Sequence, residues 1–237
     1  MLTKHAITGN VCVASDHLGT PGDLRLPVEI TDLTLQPWRI LAQNMTMNKA
    51  VGIMQLVHTG RQSARCAGRL PFSRPLAPSS VRVSTNPNSI IGKLAEKAVF
   101  QEPKAMTTDD IDHVIQLFVK GARLAYESGI HGVQIHASHG YLLSSFLSPK
   151  TNRRNDKYGG SRKKRLRIIL EIIDRIRETY ERPFVLGIKL NSTDYVEGGL
   201  NEEEALQHVE MLARHGGLDF IEVSYFLSIH KLVHTFN

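Results

Sequence analysis

The sequence predicts an α/β protein of the (β/α) barrel type, on three observations. From residue 107 onward, helix-like and strand-like segments alternate strictly, the pattern of a parallel sheet with crossover helices. The apolar runs 51–57, 133–135, 184–190 and 220–223 are nearly continuous rather than alternating, as in strands buried on both faces. Polar, chemistry-bearing residues gather at or just past the ends of these runs: His58, then His136 and His139, then Lys189 and Asn191, then Glu222. In a parallel barrel those ends share one rim, where active sites lie. A doubly wound open sheet would also place its site at strand ends. No Gly-x-Gly-x-x-Gly follows any strand, however, which argues against a dinucleotide Rossmann fold.

The elements follow in order. An apolar strand spans residues 5–14, interrupted by Gly9-Asn10, and loop chemistry rich in Asp, Gly and Pro runs from 15 to 27. A helix is expected over 36–49 after Pro37, with Trp38, Leu41 and Met45 on one side, then the strand 51–57. Residues 61–104 show little periodicity and read as a long irregular excursion, of the kind that often covers a site. Thr107 and Asp110 form a capping box, Ile111, Val114, Ile115, Phe118 and Ala122 make an apolar stripe, and Gly129 stops the helix. After the strand 133–135 and a loop at 152–160, Ser161 caps a helix with Leu166, Ile169, Leu170, Ile173 and Ile176 on one face. The strand 184–190, a helix opened by Asn201 and Glu204 and ended near Gly216-Gly217, and the strand 220–223 complete the alternation.

At 237 residues and 41% hydrophobic content, the chain can bury one large core. Much of the net charge of +6 comes from residues 150–167, which read as a solvated loop and helix face. They lack the interleaved aromatics of a single-strand binder, so no nucleic-acid partner is expected. Cys12 and Cys66 cannot make a disulfide framework, and no apolar run approaches the ~20 residues that span a membrane. The first ten residues lack the apolar region of a secretion signal, so a soluble cytoplasmic protein is expected.

The chemistry concentrates in Gly132-Val-Gln-Ile-His-Ala-Ser-His-Gly-Tyr141. Two imidazoles and a phenol at the end of a buried strand suit polarising a carbonyl, with the phenol placed to give up a proton. A pair of satisfied surface histidines beside a core tyrosine is the plainer alternative. A zinc pair lacks a third ligand at metal-like spacing, so no metal site is expected.

Four motifs then occur in order: Gln55-Leu-Val-His-Thr-Gly-Arg61, His136-Ala-Ser-His-Gly-Tyr-Leu142, Phe146-Leu-Ser-Pro-Lys-Thr-Asn-Arg-Arg154 and Tyr158-Gly-Gly-Ser161. Together they resemble the Old Yellow Enzyme family of FMN-dependent NAD(P)H oxidoreductases, most nearly a fungal branch. The resemblance implies a (β/α)8 TIM-barrel type, incomplete here, with FMN across the C-terminal rim and NAD(P)H as reductant. It implies that His136 and His139 bind the activating carbonyl oxygen of an enone and that Tyr141 protonates its α-carbon. Gln55 is implied to meet the flavin pyrimidine edge, and Gly9 to bring backbone to the flavin. Lys189 stands where the family commonly has arginine near flavin N1; it keeps the charge but loses the planar fork. Arg61 and His58 resemble parts of a loop closing over the rim.

The resemblance implies a partial FMN-binding barrel over residues 1–224, lacking the first strand and the last two βα units, and a divergent tail over 225–237. The small-molecule partner implied is an α,β-unsaturated carbonyl. A second reading stays open: a shortened, catalytically impaired relative that binds FMN weakly or not at all and acts as an interaction protein.

Overall fold

Five strands of useful length lie side by side in the order in which the chain makes them. The structure, a computed structural model, describes residues 4–84, 89–194 and 196–224. Its elements are β1 (His5–Cys12), β2 (Leu24–Arg25), α1 (Asp32–Met45), β3 (Val51–Val57), β4 (Leu76–Ala77), α2 (Ile90–Val99), β5 (Lys104–Ala105) and α3 (Thr108–Ser128). They continue with β6 (Gly132–Ala137), α4 (Leu142–Leu147), α5 (Arg162–Thr179), β7 (Val185–Asn191), α6 (Glu202–His215) and β8 (Phe220–Ser224). The main sheet runs β2-β1-β3-β6-β7-β8, and every pairing in it is parallel. A doubly wound sheet would reverse its strand order at the centre. Here each long strand sits beside its successor, which is the order of a barrel wall.

The strands form where the apolar runs predict them because both faces are covered. Ile53, Met54, Leu56, Ile135, Leu186 and Ile188 are buried, and α3 and α5 pack Phe118, Leu166, Ile169, Ile172 and Ile176 into the same core. Both ends of α3 are set locally. Thr107 Oγ1 accepts from the Asp110 amide at 3.1 Å, Asp110 Oδ2 accepts from the Thr107 amide at 2.8 Å, and Gly129 turns left-handed at φ 84°.

Gly132 opens β6 where it crosses closest to β7. A Cβ there would run into the carbonyl oxygen and Cβ of Val185, which are backbone and branch-point atoms with little room to yield. Gly132→Ala is therefore expected to lower stability by about 1–3 kcal/mol, the cost typical of overpacking. A urea midpoint equal to that of the unmutated protein would contradict this register.

Two expectations need correction, and one helix was not anticipated. The first helix begins at Asp32, not after Pro37, because Thr31 caps it; Thr31 Oγ1 accepts from the Thr34 amide at 3.3 Å. Pro37 lies inside that helix, on its exposed side, and removes one of its backbone bonds. The helix stops at Met45, and residues 47–49 make a separate 3-10 turn. The stretch 61–104 is not wholly irregular: Ser89 caps α2 by accepting from the Gly92 amide at 3.0 Å. Finally α4, six residues buried all round, carries no periodic signal of its own.

The tail from residue 225 lies outside the described residues. Among the described residues no helix is long and apolar enough to cross a membrane.

Candidate functional site

β6 delivers His136 to the sheet's C-terminal end with its ring buried. Two successive left-handed residues, His139 at φ 61° and Gly140 at φ 72°, then fold the chain back over that ring. Positive φ at a histidine is costly unless the surroundings hold it. Here they do: the His139 amide donates to Asn191 Oδ1 at 2.9 Å, and its carbonyl accepts from Gln62 Nε2 at 2.6 Å. A Cβ at position 140 would collide with that same Gln62 amide.

The turn draws three rings together. Ring centroids lie 4.9 Å apart for His136 and His139, 5.0 Å for His136 and Tyr141, and 6.3 Å for His139 and Tyr141, all edge to face. His139 Nε2 meets Ser224 Oγ at 2.8 Å, and the Asn10 side chain lies beside the Tyr141 hydroxyl. The cluster is thus braced by β1, β7 and β8, all remote in sequence.

Burial sets the protonation states. It holds His136 at about 3, helped by the repulsion a protonated His139 would add and by the positive charge of Lys189. His139 is lowered by burial and then by Lys189, while burial raises Tyr141 above its usual value. Both imidazoles are therefore neutral and the phenol protonated at neutral pH. The Ser138 amide donates to His136 Nδ1 at 3.3 Å, which makes Nδ1 the acceptor and leaves the proton on Nε2.

A buried neutral histidine also makes a pH prediction. The folded value of His136 lies below the unfolded value near 6.5, so the unfolded chain binds the extra proton. The associated stability is complete above about 6.5 and is lost as pH falls from there toward about 3. Urea midpoints should fall through this window, and His136→Gln should flatten the slope. An unchanged slope in the variant would contradict it.

A second set of side chains crosses four strands below the rings. Gln55 Nε2 donates to Gln134 Oε1 at 2.6 Å, Gln134 Nε2 donates to Glu222 Oε2 at 2.7 Å, and Glu222 Oε1 pairs with Lys189 Nζ at 2.8 Å. The structure thus joins two of the expected residues, Gln55 and Lys189, through two that were not anticipated in this role. Gln134 stands two residues before His136 on the same strand, hence on the same face of the sheet. That spacing could have singled it out. Lys189 is a paired cation rather than a lone one.

Gly9 sits in a β-bulge: Ile7 pairs with Ile53 and Asn10 with Gln55, so two residues oppose one. Thr8 Oγ1 accepts from the Gln55 amide at 2.9 Å where the ladder is interrupted. An added Cβ on Gly9 would meet nothing within 4 Å. His58 is enclosed and stacks on His17 at 4.6 Å, its Nδ1 accepting from the Gly60 amide at 3.0 Å, so it supports the loop. Arg61 ties that loop to the next, donating from Nη1 to the carbonyls of Val81 and Arg82 at 3.1 and 3.0 Å. Among the described residues no group of three or more His, Cys, Asp or Glu side chains could hold a metal ion.

The sequence profile of the NADH:flavin oxidoreductase / NADH oxidase family matches residues 6–230. The chain belongs to that family. Over 222 residues it is 39% identical to the NADH-dependent flavin oxidoreductase iccE of Talaromyces variabilis, covering 92% of this chain and 53% of that one. It is 36% identical to the NADH-dependent flavin oxidoreductase iliE of Hypocrea jecorina (strain QM6a), covering 92% of this chain and 54% of the relative. The chain spans about half the length of these two family members.

Among solved structures, 2-naphthoyl-CoA reductase in complex with 2-naphthoyl-CoA superposes with a TM-score of 0.78 at 27% identity, over 93% of this chain and 33% of that one. Morphinone reductase superposes with a TM-score of 0.76 at 24% identity, over 92% of this chain and 58% of that one, a likeness of fold alone. The family likeness and the strand order agree: the described chain is part of a (β/α)8 barrel, and its histidine cluster stands at the C-terminal ends of the wall.

Proposed function

We propose that this chain works as an FMN-dependent NAD(P)H oxidoreductase of the Old Yellow Enzyme type, reducing activated alkenes such as enones. The observation that carries the reading is the three-ring cluster, two neutral imidazoles and a protonated phenol with centroids 4.9–6.3 Å apart. The names of the relatives support the redox half of the reading, and the cluster supports the alkene half.

The strand ends suit a flavin. Gln55 spends Nε2 on Gln134 but has no hydrogen bond at Oε1 among the described residues, leaving an amide acceptor for an imide edge. Gly9 adds an open stretch of backbone on the neighbouring strand. Lys189 contributes a cation tempered by Glu222. Bound FMN would supply a hydride for the β-carbon, with NAD(P)H as the source of electrons.

The chain's own residues do the rest. His136 Nε2–H donates to the carbonyl oxygen of the enone, and His139 stands beside it with its backbone held by Asn191 and Gln62. As charge builds on that oxygen, fixed donors in a water-poor site stabilise it more than water would. Tyr141 keeps its proton at neutral pH because burial opposes the phenolate. It releases that proton to the α-carbon only when the enolate makes the carbon a stronger base, and solvent then restores the phenol.

Anaerobic turnover tests the proposal. With FMN and NADH or NADPH, the full chain is expected to convert 2-cyclohexenone to cyclohexanone. A flavin that NAD(P)H reduces but the enone never reoxidises would overturn the alkene assignment.

A further inference from the structure

A cavity of about 500 Å³ opens beside His139, between the loop after β3, the loop around α4 and the loop after β7. Arg61, Arg82, Lys150, Asp194 and Ser148 line it together with His139. Its volume suits a ligand of small-molecule size.

Two of the residues lining it hold a buried polar atom without a partner among the described residues. Arg61 spends Nη1 on two backbone carbonyls, while Nε is buried and accepted by nothing among the described residues. Ser148 is 3% exposed, and its Oγ is likewise buried without a partner. A buried donor left unmade is costly, so two such residues around one cavity call for an acceptor.

The charges indicate which acceptor. Arg82 donates from Nη1 to the Phe100 carbonyl at 3.0 Å and pairs through Nη2 with Glu102 at 4.0 Å, while Lys150 donates from Nζ to the Glu197 carbonyl at 3.0 Å and makes no salt bridge among the described residues. Asp194 is the one carboxylate there, and it is turned to its own loop, accepting from the Leu200 amide at 2.8 Å. It makes no salt bridge with Arg61, although it offsets part of the cost of burying the guanidinium. Arg61 and Lys150, neither in a salt bridge among the described residues, against one engaged anion leave a positive cavity, and the edge of a guanidinium matches an oxyanion.

We propose that Arg61 and Ser148 form an oxyanion subsite beside His139, taking a carboxylate or phosphate group of a ligand. Two sources share this chemistry: an acid group on the substrate, and the pyrophosphate of the nicotinamide reductant. The subsite goes beyond the flavin reading and does not depend on it.

Calorimetric titration of the full chain, with no flavin or NAD(P)H present, tests this with benzoate and ADP-ribose as probes and benzamide as the neutral control. Saturable binding of at least one anion is expected, with benzamide at least ten-fold weaker than benzoate if benzoate is the binder. Arg61→Gln should weaken the bound anion at least ten-fold. Loss for benzoate alone assigns the subsite to a substrate acid, and loss for ADP-ribose alone assigns it to the reductant.

Ser148 Oγ has no hydrogen bond to lose among the described residues, so Ser148→Ala is the variant that decides if Arg61→Gln does not fold. A fall in affinity of two-fold or more supports the site. No saturable binding of either anion, benzamide binding as tightly as benzoate, or an affinity unchanged in both variants overturns it. Because the readout is heat without flavin, its failure and a failure of enone turnover are separate results.

Discussion

Tyr141→Phe is expected to slow alkene reduction by about 10²–10⁴-fold, the range typical of a lost general acid, while leaving NAD(P)H-driven flavin reduction unchanged. The phenol hydroxyl is the only atom removed. Its neighbour within the protein is the half-buried Asn10 side chain on β1, so little stability goes with it. The two half-reactions should therefore separate: the reductive one lacks any step in which Tyr141 moves a proton, and the oxidative one has such a step. Rapid mixing of pre-reduced protein with 2-cyclohexenone reads the second directly. Equal loss in both halves would mean that the ring shapes the site rather than protonating the alkene.

Replacing both His136 and His139 by Gln is expected to lower alkene reduction by about 10²–10³-fold, as for the loss of oxyanion donors, and to weaken phenol binding to the oxidised protein. The two positions should differ in their structural cost. His136 is enclosed, with its Nδ1 satisfied by the Ser138 amide, so its replacement disturbs packing. His139 is fixed mainly through its backbone, by Asn191 and Gln62, and the turn should survive a change of side chain. His139→Gln alone is thus the cleaner variant; a thermal midpoint close to the original with a large loss of rate is its expected signature. Unchanged phenol affinity in the double variant would remove the pair from the carbonyl site.

What could be read from the sequence was local. The boundaries of α3 are written in Thr107, Asp110 and Gly129, three residues whose hydrogen bonds close within one turn. His136, His139 and Tyr141 were legible together because six residues and a turn suffice to gather them. Nothing comparable marks α4, which is too short and too uniformly buried to show a helical period. The apolar residues of α2, Ile90, Ile91 and Leu94, are exposed, so that helix rests on its Ser89 cap.

The residues that brace the site escaped for a different reason. Gln134 takes its partners from Gln55, 79 residues away, and from Glu222, 88 residues away. Ser224 reaches His139 across 85 residues, and Gln62 reaches it across 77. Such pairings depend on which strand ends the barrel order brings to one rim. That order emerges from the whole sheet and not from any one segment. The lysine at 189 was seen, but its neutralisation by Glu222 on the next strand was not, for the same reason.

Everything proposed for the three rings requires a flavin on the strand ends beside Gln55 and Lys189. The direct measurement is to incubate the purified chain with excess FMN, desalt it and record the visible spectrum against protein concentration. About one FMN retained per chain is the predicted result. A colourless protein, with all FMN in the small-molecule fraction, would contradict it.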